Sequence, residues 1–272
     1  MPAPRGPLLL VGGGKMGSAL LEGWLKAGLP AAETWAVEPD GDRATGLRGR
    51  FPVHVIDGPA RLPQGLQPRT LVAAVKPQLL DAALAPYREL TGPDTLILSI
   101  AAGKTIATFE ALFGPVPIVR AMPNTPAAVG RGASVLCANA GVDPARRAEA
   151  EQLLAAVGET AWVEDESLMH AVTAMSGGGP AYVYLLIETM AAAGARLGLP
   201  AELAMRLARA TVIGSGELAS RNDAPAARLR QDVTSPGGTT QAALSVLMAA
   251  DGIQPLFDRA LAAAAQRSRE LG

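Results

Sequence analysis

The sequence predicts an α/β protein in its first half and an all-α one in its second. Three observations carry this. Short apolar runs alternate with helical segments as far as Trp162-Val163, and no convincing strand follows. The second half is dense in Ala, Leu, Met and Arg, good helix formers, whereas the first half carries most of the Val/Ile-rich runs, prolines and glycines. Runs that are apolar on both faces and alternate with helices read as a largely parallel sheet covered on both sides. The 272 residues suffice for a sizeable core, as one large or two medium domains.

Leu8-Leu9-Leu10-Val11 leads through glycines into Met16 to Ala27, where Met16, Leu20, Leu21, Trp24 and Leu25 recur at helical spacing, so the unit reads as strand, tight turn, helix. Further strands are expected at Thr34 to Val37, Val53 to Ile56, Leu71 to Val75, Leu96 to Ile100, Ile118 to Ala121 and Ser134 to Ala138. Between them, helices are expected at Gln78 to Leu90 and Ala145 to Val157. Beyond a domain boundary near residue 163 come helices at Glu166 to Ala174, Pro180 to Leu197, Glu202 to Ser220, Thr239 to Ala250 and Gln254 to Leu271. A helical half this rich in Ala and Met has few large side chains for a core of its own. It is expected to pack against another subunit.

Formal net charge is −1 and the arginines are scattered rather than gathered in blocks, which leaves no electrostatic footprint for nucleic acid or an anionic membrane and points to small-molecule partners. Cys137 is the single cysteine, which excludes an intrachain disulfide or a cysteine-based zinc cluster and fits a reducing compartment. It lies in the strand-like run Ala133 to Ala138 and reads as buried packing. The two histidines, His54 and His170, lack a metal-ligand spacing, so no metal site is expected. Met1 to Pro7 leads into only four apolar residues, too short for the hydrophobic region of a signal peptide. The longest apolar stretch, Pro180 to Leu199, is broken by Glu188, Gly194, Arg196 and Gly198. A soluble, cytoplasmic protein is expected.

Two motifs carry chemistry. Gly12-Gly13-Gly14-Lys15-Met16-Gly17 fits Gly-x-Gly-x-x-Gly between a first strand and first helix, where glycines let a dinucleotide pyrophosphate reach the helix start; a plain glycine turn is the alternative. Glu38, about twenty residues further on, stands where an acid accepts from the ribose hydroxyls of NAD. Arg43, Arg48 and Arg50 follow closely, and an arginine there would suit a 2′-phosphate, so NADH and NADPH both stay open. Turns after later strands face the same crevice: Ala74-Val75-Lys76-Pro77, Ala101-Ala102-Gly103, and Arg120 to Pro126 with Met122 and Asn124. For Lys76 the alternative is a solvated surface lysine.

The second motif is Ser235-Pro236-Gly237-Gly238-Thr239-Thr240. A proline fixes the entry, the glycines bend and uncover the backbone, and two hydroxyls stand where a helix begins. Unpaired N–H groups at such a start attract a carboxylate or phosphate, although an ordinary turn and N-cap uses the same residues.

Taken in order, Val11 to Gly17, Ala74 to Gln78, Arg120 to Gly130 with its Met-Pro-Asn-Thr-Pro, Ala171 to Tyr182, and Val233 to Thr240 with its Thr-Ser-Pro-Gly-Gly-Thr-Thr resemble pyrroline-5-carboxylate reductase across nearly the whole chain. The resemblance implies a Rossmann-like dinucleotide-binding domain over residues 1–163. It implies an all-α dimerisation and substrate-binding domain over 164–272, and a homodimer often assembled into a decamer, a pentamer of dimers. The activity implied is reduction of L-1-pyrroline-5-carboxylate to L-proline. The resemblance assigns the substrate carboxylate to Gly237, Gly238 and Thr239 with Ser235 nearby, the ring nitrogen to the hydroxyl of Thr240, and an acidic substrate-side position to Glu166. Cofactor positions fall on Gly12 to Gly17, Ala74 to Pro77 and Ala101 to Gly103. Two departures stand out: Gly178 where the family usually has a serine, and His170 where it often has Asp.

An imine is basic enough to be protonated from solution near neutral pH, so Thr240 needs only to orient and polarise the nitrogen while hydride arrives. A β-hydroxyacid dehydrogenase-like enzyme would place a lysine in the helical half, and none follows Lys104. A non-catalytic dinucleotide sensor would leave the Ser235 to Thr240 segment without a purpose.

Overall fold

The computed structural model describes residues 6–271; Met1 to Arg5, part of the stretch weighed above as a leader, and Gly272 lie outside the described residues. Among the described residues eight strands form one sheet in the order β3-β2-β1-β4-β5-β6-β7-β8. They are β1 (Leu8–Val11), β2 (Thr34–Val37), β3 (His54–Ile56), β4 (Thr70–Ala73), β5 (Leu96–Ser99), β6 (Ile118–Met122), β7 (Gly132–Ala138) and β8 (Gly158–Trp162). Neighbours are parallel except β6 and β7, which run antiparallel. The chain leaves β1 toward β3 and then returns to place β4 on the other side of β1. That reversal is the switch point of a Rossmann-like sheet, and ligands bind beyond the carboxyl ends of the strands beside it.

The continuous apolar runs follow from burial on both faces. Leu8 and Leu10 pack on one side with Leu20, Trp24 and Val72, while Leu9 and Val11 pack on the other with Tyr87, Phe109 and Ile118. Cys137 lies in the second cluster, and burial, its largest influence, pushes its thiol pKa up, as packing rather than nucleophilic use requires.

The helices of this unit are α1 (Lys15–Lys26), α2 (Gly41–Arg50), α3 (Leu80–Leu84), α4 (Ile106–Phe113), α5 (Pro144–Ala155) and α6 (Met169–Val172). The continuous helix expected at Gln78 to Leu90 is instead α3 flanked by 3-10 turns at Pro77–Leu79 and Ala85–Leu90, because Pro86 lacks the N–H and clashes with the preceding turn. The strand expected to run to Val75 ends at Ala73, which releases Ala74 and Val75 into the turn. Three elements of the unit lie outside the expected segments. α2 buries only Ala44 and Leu47 and so shows little apolar periodicity. α4 starts at a Thr105 cap and buries Ile106, Phe109 and Phe113. β8 has the weakly apolar sequence Gly-Glu-Thr-Ala-Trp, as an edge strand with alternate residues exposed allows.

The chain divides into two compact units, one through Gly177 plus the residues from Ala264 onward, the other Gly178–Ala263. The first continues past its last strand because Met169, in α6, is fully buried in the second core cluster, after which Thr173–Gly177 forms a π-helical turn. The second unit holds α7 (Gly179–Arg196), α8 (Ala201–Ser220), α9 (Ala226–Asp232), α10 (Thr239–Leu247) and most of α11 (Ile253–Glu270). α9, at 7 residues, is too short for an apolar pattern to show and also lies outside the expected segments. α7 buries only Ala191, and α8 only Ala204 and Ala208. Large side chains on the same helices stay open, with Leu185 60% and Leu218 70% exposed. Among the described residues no helix is long and apolar enough to cross a membrane, and no group of three or more His, Cys, Asp or Glu could hold a metal ion.

Candidate functional site

At the switch point the carboxyl ends of three strands are tied together: Gly12 N–H donates to Val37 O, and Ala74 N–H to Val11 O, each at 2.9 Å. The glycines between β1 and α1 have distinct reasons. Gly12 has φ +106, and a Cβ there would stand 2.5 Å from the Ala74 carbonyl oxygen. At Gly17 a Cβ would meet the Gly12 carbonyl oxygen at 2.1 Å, so the helix seats directly on the loop. Gly14 is the one whose added Cβ would meet nothing within 4 Å, which leaves its backbone open to an approaching ligand. It is also the N-cap of α1, with no side-chain cap and no acidic residue in the first turn. Lys15 adds an exposed cation at that helix start. Uncapped N–H groups and a local positive charge suit a pyrophosphate. A cleft of about 590 Å³ opens here between α1 and α2, with Gly13, Gly14, Lys15 and Met16 at its head and Arg43 and Leu47 along its side.

Glu38 is buried beneath this loop rather than held out to solvent. Its Oε2 accepts from Gly13 N–H at 2.9 Å, and its Oε1 accepts from Asp40 N–H at 3.0 Å and pairs with Arg43 Nη2 at 3.1 Å. Of the other arginines nearby, Arg48 donates to Val55 O at 3.3 Å and Arg50 pairs with Glu22 at 3.0 Å.

The remaining turns lie at the same edge. Ala74 and Val75 are half-buried, Pro77 begins the 3-10 turn, and Lys76 is exposed. Ala101 and Gly103 are buried around Ala102, and Gly103 takes φ +81. Met122 ends β6 and its side chain rests against Gly177, where a Cβ would stand 2.5 Å from its methyl. Asn124 is engaged at both ends of its amide: Oδ1 accepts from Ala133 N–H at 2.9 Å, and Nδ2 donates to Ser176 Oγ at 3.2 Å. It braces the turn, a role that residue type alone does not reveal.

Glu166 is likewise committed. Its Oε1 accepts from the Arg120 guanidinium at 2.7 Å and from Ile106 N–H, at the start of α4, at 2.8 Å. Arg120 is buried, so this carboxylate neutralises an interior cation at the ends of β5 and β6. Arg120 lies within β6 rather than in the turn that follows it. His170 Nδ1 lies 3.0 Å from Ser268 Oγ, and burial first, then the Arg120 and Arg269 charges, holds its pKa below the ordinary value.

In the second unit, Gly237 takes φ +70 and Gly238 is the N-cap of α10, again without a side-chain cap. The two glycine N–H groups, however, have partners: Gly237 donates to the Gln241 side-chain oxygen and Gly238 to Ser235 O at 3.0 Å. The first in-helix bond is Ala242 N–H to Gly238 O at 3.1 Å. The donors left over by helix geometry are therefore those of Thr239, Thr240 and Gln241. Ser235, Gly237, Thr239 and Thr240 are exposed and Gly238 is half-buried.

Residues 8–103 match the family model described as NADP oxidoreductase coenzyme F420-dependent, and residues 166–271 the one described as pyrroline-5-carboxylate reductase dimerisation. Over its whole length the chain is similar to the pyrroline-5-carboxylate reductase of Pseudomonas aeruginosa, 42% identical over 272 residues that cover 100% of this chain and 98% of that protein. The chain belongs to the pyrroline-5-carboxylate reductase family. As a member it is an oxidoreductase that uses a nicotinamide dinucleotide. The fold agrees with the family along the whole chain. The pyrroline-5-carboxylate reductase structure from Coxiella burnetii superposes with a TM-score of 0.90 at 33% identity, covering 99% of each chain. That of the Plasmodium falciparum pyrroline carboxylate reductase, solved with NADP bound, superposes at 0.82 and 29% identity, covering 100% of each.

Proposed function

We propose that this chain reduces L-1-pyrroline-5-carboxylate to L-proline with NADH or NADPH, the last step of proline biosynthesis. The observation that carries the reading is the presence of two uncapped, glycine-led helix starts. The one at Gly14 suits a pyrophosphate, and the one at Gly238, with hydroxyls in its first turn, suits a small carboxylate.

The reduced dinucleotide, when bound, supplies the hydride. Gly12, Gly13, Gly14, Lys15, Met16 and Gly17 would hold its pyrophosphate, with Glu38 bracing the loop at the ribose end. Ala74 to Pro77, Ala101 to Gly103, Met122 and Asn124 would line the path toward the nicotinamide. Thr239 and Thr240 N–H groups are the open donors for the substrate carboxylate, next to Ser235, Gly237 and Gly238. Thr240 contributes a hydroxyl that orients the ring nitrogen, which takes its proton from solution, so no strong general acid is needed. Glu166 is the acidic residue proposed for the substrate side, and it is paired with Arg120.

The exposed apolar side chains of α7 and α8 support a homodimer formed through residues 164–272, and further assembly to a decamer is the larger state proposed. A cytoplasmic location goes with this reading. The deciding experiment follows the nicotinamide absorbance after pyrroline-5-carboxylate is added to protein with NADPH or NADH. Decay with proline formed is expected; no decay with either cofactor overturns the reductase reading and favours a dinucleotide sensor.

A further inference from the structure

The two helices that start beside the switch point differ in what they offer an anion. α1 begins uncapped, with no acid in its first turn. α2 begins at Asp40, whose Oδ1 accepts from Arg43 N–H at 2.9 Å, and Asp42 follows in its first turn. One N–H at the start of α2, that of Arg43, is thus already bonded to a carboxylate of the chain itself.

Arg43, the cation beside that start, is shared between Glu38 at 3.1 Å and Asp40 at 3.6 Å. Arg48 and Arg50, further along α2, are held by Val55 O and Glu22. The carboxylates of Glu38 and Asp40 therefore outnumber the one guanidinium paired with them. A ribose 2′-hydroxyl can donate to such an acidic edge. A 2′-phosphate brings negative charge to it and meets a helix start already capped by Asp40.

We propose that this chain selects NADH over NADPH, with Glu38 and Asp40 as the residues that determine the choice. The inference rests on the dinucleotide reading of the glycine loop given above. Glu38 acts from beneath the loop, by its charge and by holding Gly13 and Asp40 in place. Asp40 acts by capping α2 and engaging Arg43.

The test measures the affinity of the full-length protein for NADH and NADPH by calorimetric titration, together with kcat/KM for each. NADH is expected to bind at least about tenfold more tightly, the scale of a single unfavourable charge contact. Asp40→Ser keeps a capping hydroxyl and Glu38→Gln keeps an acceptor for Gly13, so the double variant removes charge with little change in geometry. It is expected to tighten NADPH and close the gap about tenfold, with its unfolding temperature recorded alongside. Equal affinities in the unaltered protein, or tighter NADPH, overturn the proposal by showing that Arg43 leaves its carboxylates for the phosphate. Binding of neither dinucleotide removes the cofactor reading itself. Selective binding of NADH without turnover supports the preference and counts against the reductase reading alone.

Discussion

Gly13 donates its backbone N–H to Glu38 Oε2 at 2.9 Å, so the loop after the first strand is braced by the acid after the second. The bond is buried and spans two adjacent parallel strands. Glu38→Ala leaves the Gly13 N–H without a protein partner, and the expected loss is about 1–3 kcal/mol, the cost of a buried unsatisfied donor. Chemical denaturation of the protein without cofactor measures it, and an unchanged midpoint would mean that water replaces the carboxylate.

The glycines of the loop separate fold from binding. Gly17→Ala forces a Cβ onto the Gly12 carbonyl, and a destabilisation of about 2 kcal/mol or more is expected. Gly14→Ala meets nothing in the protein, so stability changes by less than about 1 kcal/mol while dinucleotide affinity falls about tenfold or more. Thermal melts paired with dinucleotide titrations distinguish the two; similar behaviour of both variants would count against a ligand at Gly14.

Thr240→Ala is expected to lower kcat about tenfold or more, as loss of a hydrogen bond made in the transition state does, with the KM for the dinucleotide within about twofold. Thr240→Ser restores the hydroxyl and most of the rate. Steady-state kinetics unchanged by the alanine would remove Thr240 from the chemistry.

Breaking the Arg120–Glu166 pair is expected to damage the fold more than binding. Arg120→Met costs about 2–3 kcal/mol, below the full range for a buried pair because Glu166 keeps some contact with water. Glu166→Gln retains acceptors for Arg120 and Ile106 and costs less. Should Glu166→Gln raise the KM for pyrroline-5-carboxylate with stability unaltered, Glu166 touches substrate directly.

His170 makes stability depend on pH. Its pKa lies below the ordinary histidine value in the folded protein, first through burial, so the fold favours the neutral ring. The unfolded chain then binds the proton more readily. The contribution is fully present above the unfolded pKa and is lost as pH falls through the folded one. The unfolding temperature is expected to drop as pH falls below about 6.5, and His170→Gln should flatten that part of the profile. An identical drop in the variant would assign it to other groups.

The sequence was most informative where a property is local. The alternation of Leu8-Leu9-Leu10-Val11 with the Met16, Leu20 and Trp24 spacing was enough for strand, turn and helix, since those relationships lie within a few residues. α4 is legible too, in the Thr105 cap and the spacing of Ile106, Phe109 and Phe113, although it lies outside the expected segments. α2 and β8 were not legible by apolar pattern, because each is only partly covered.

By itself, then, the sequence determined the α/β-to-α order, the glycine loop, the Ser235 to Thr240 turn and the family these motifs resemble. Only the tertiary structure decided which polar groups remain available. Glu38 reaches Gly13 across 25 residues, Arg120 reaches Glu166 across 46, and Asn124 reaches Ser176 across 52. Periodicity reports which face of an element is buried. A hydrogen bond between distant segments depends on which strands lie side by side, and that order is set by packing of the whole sheet.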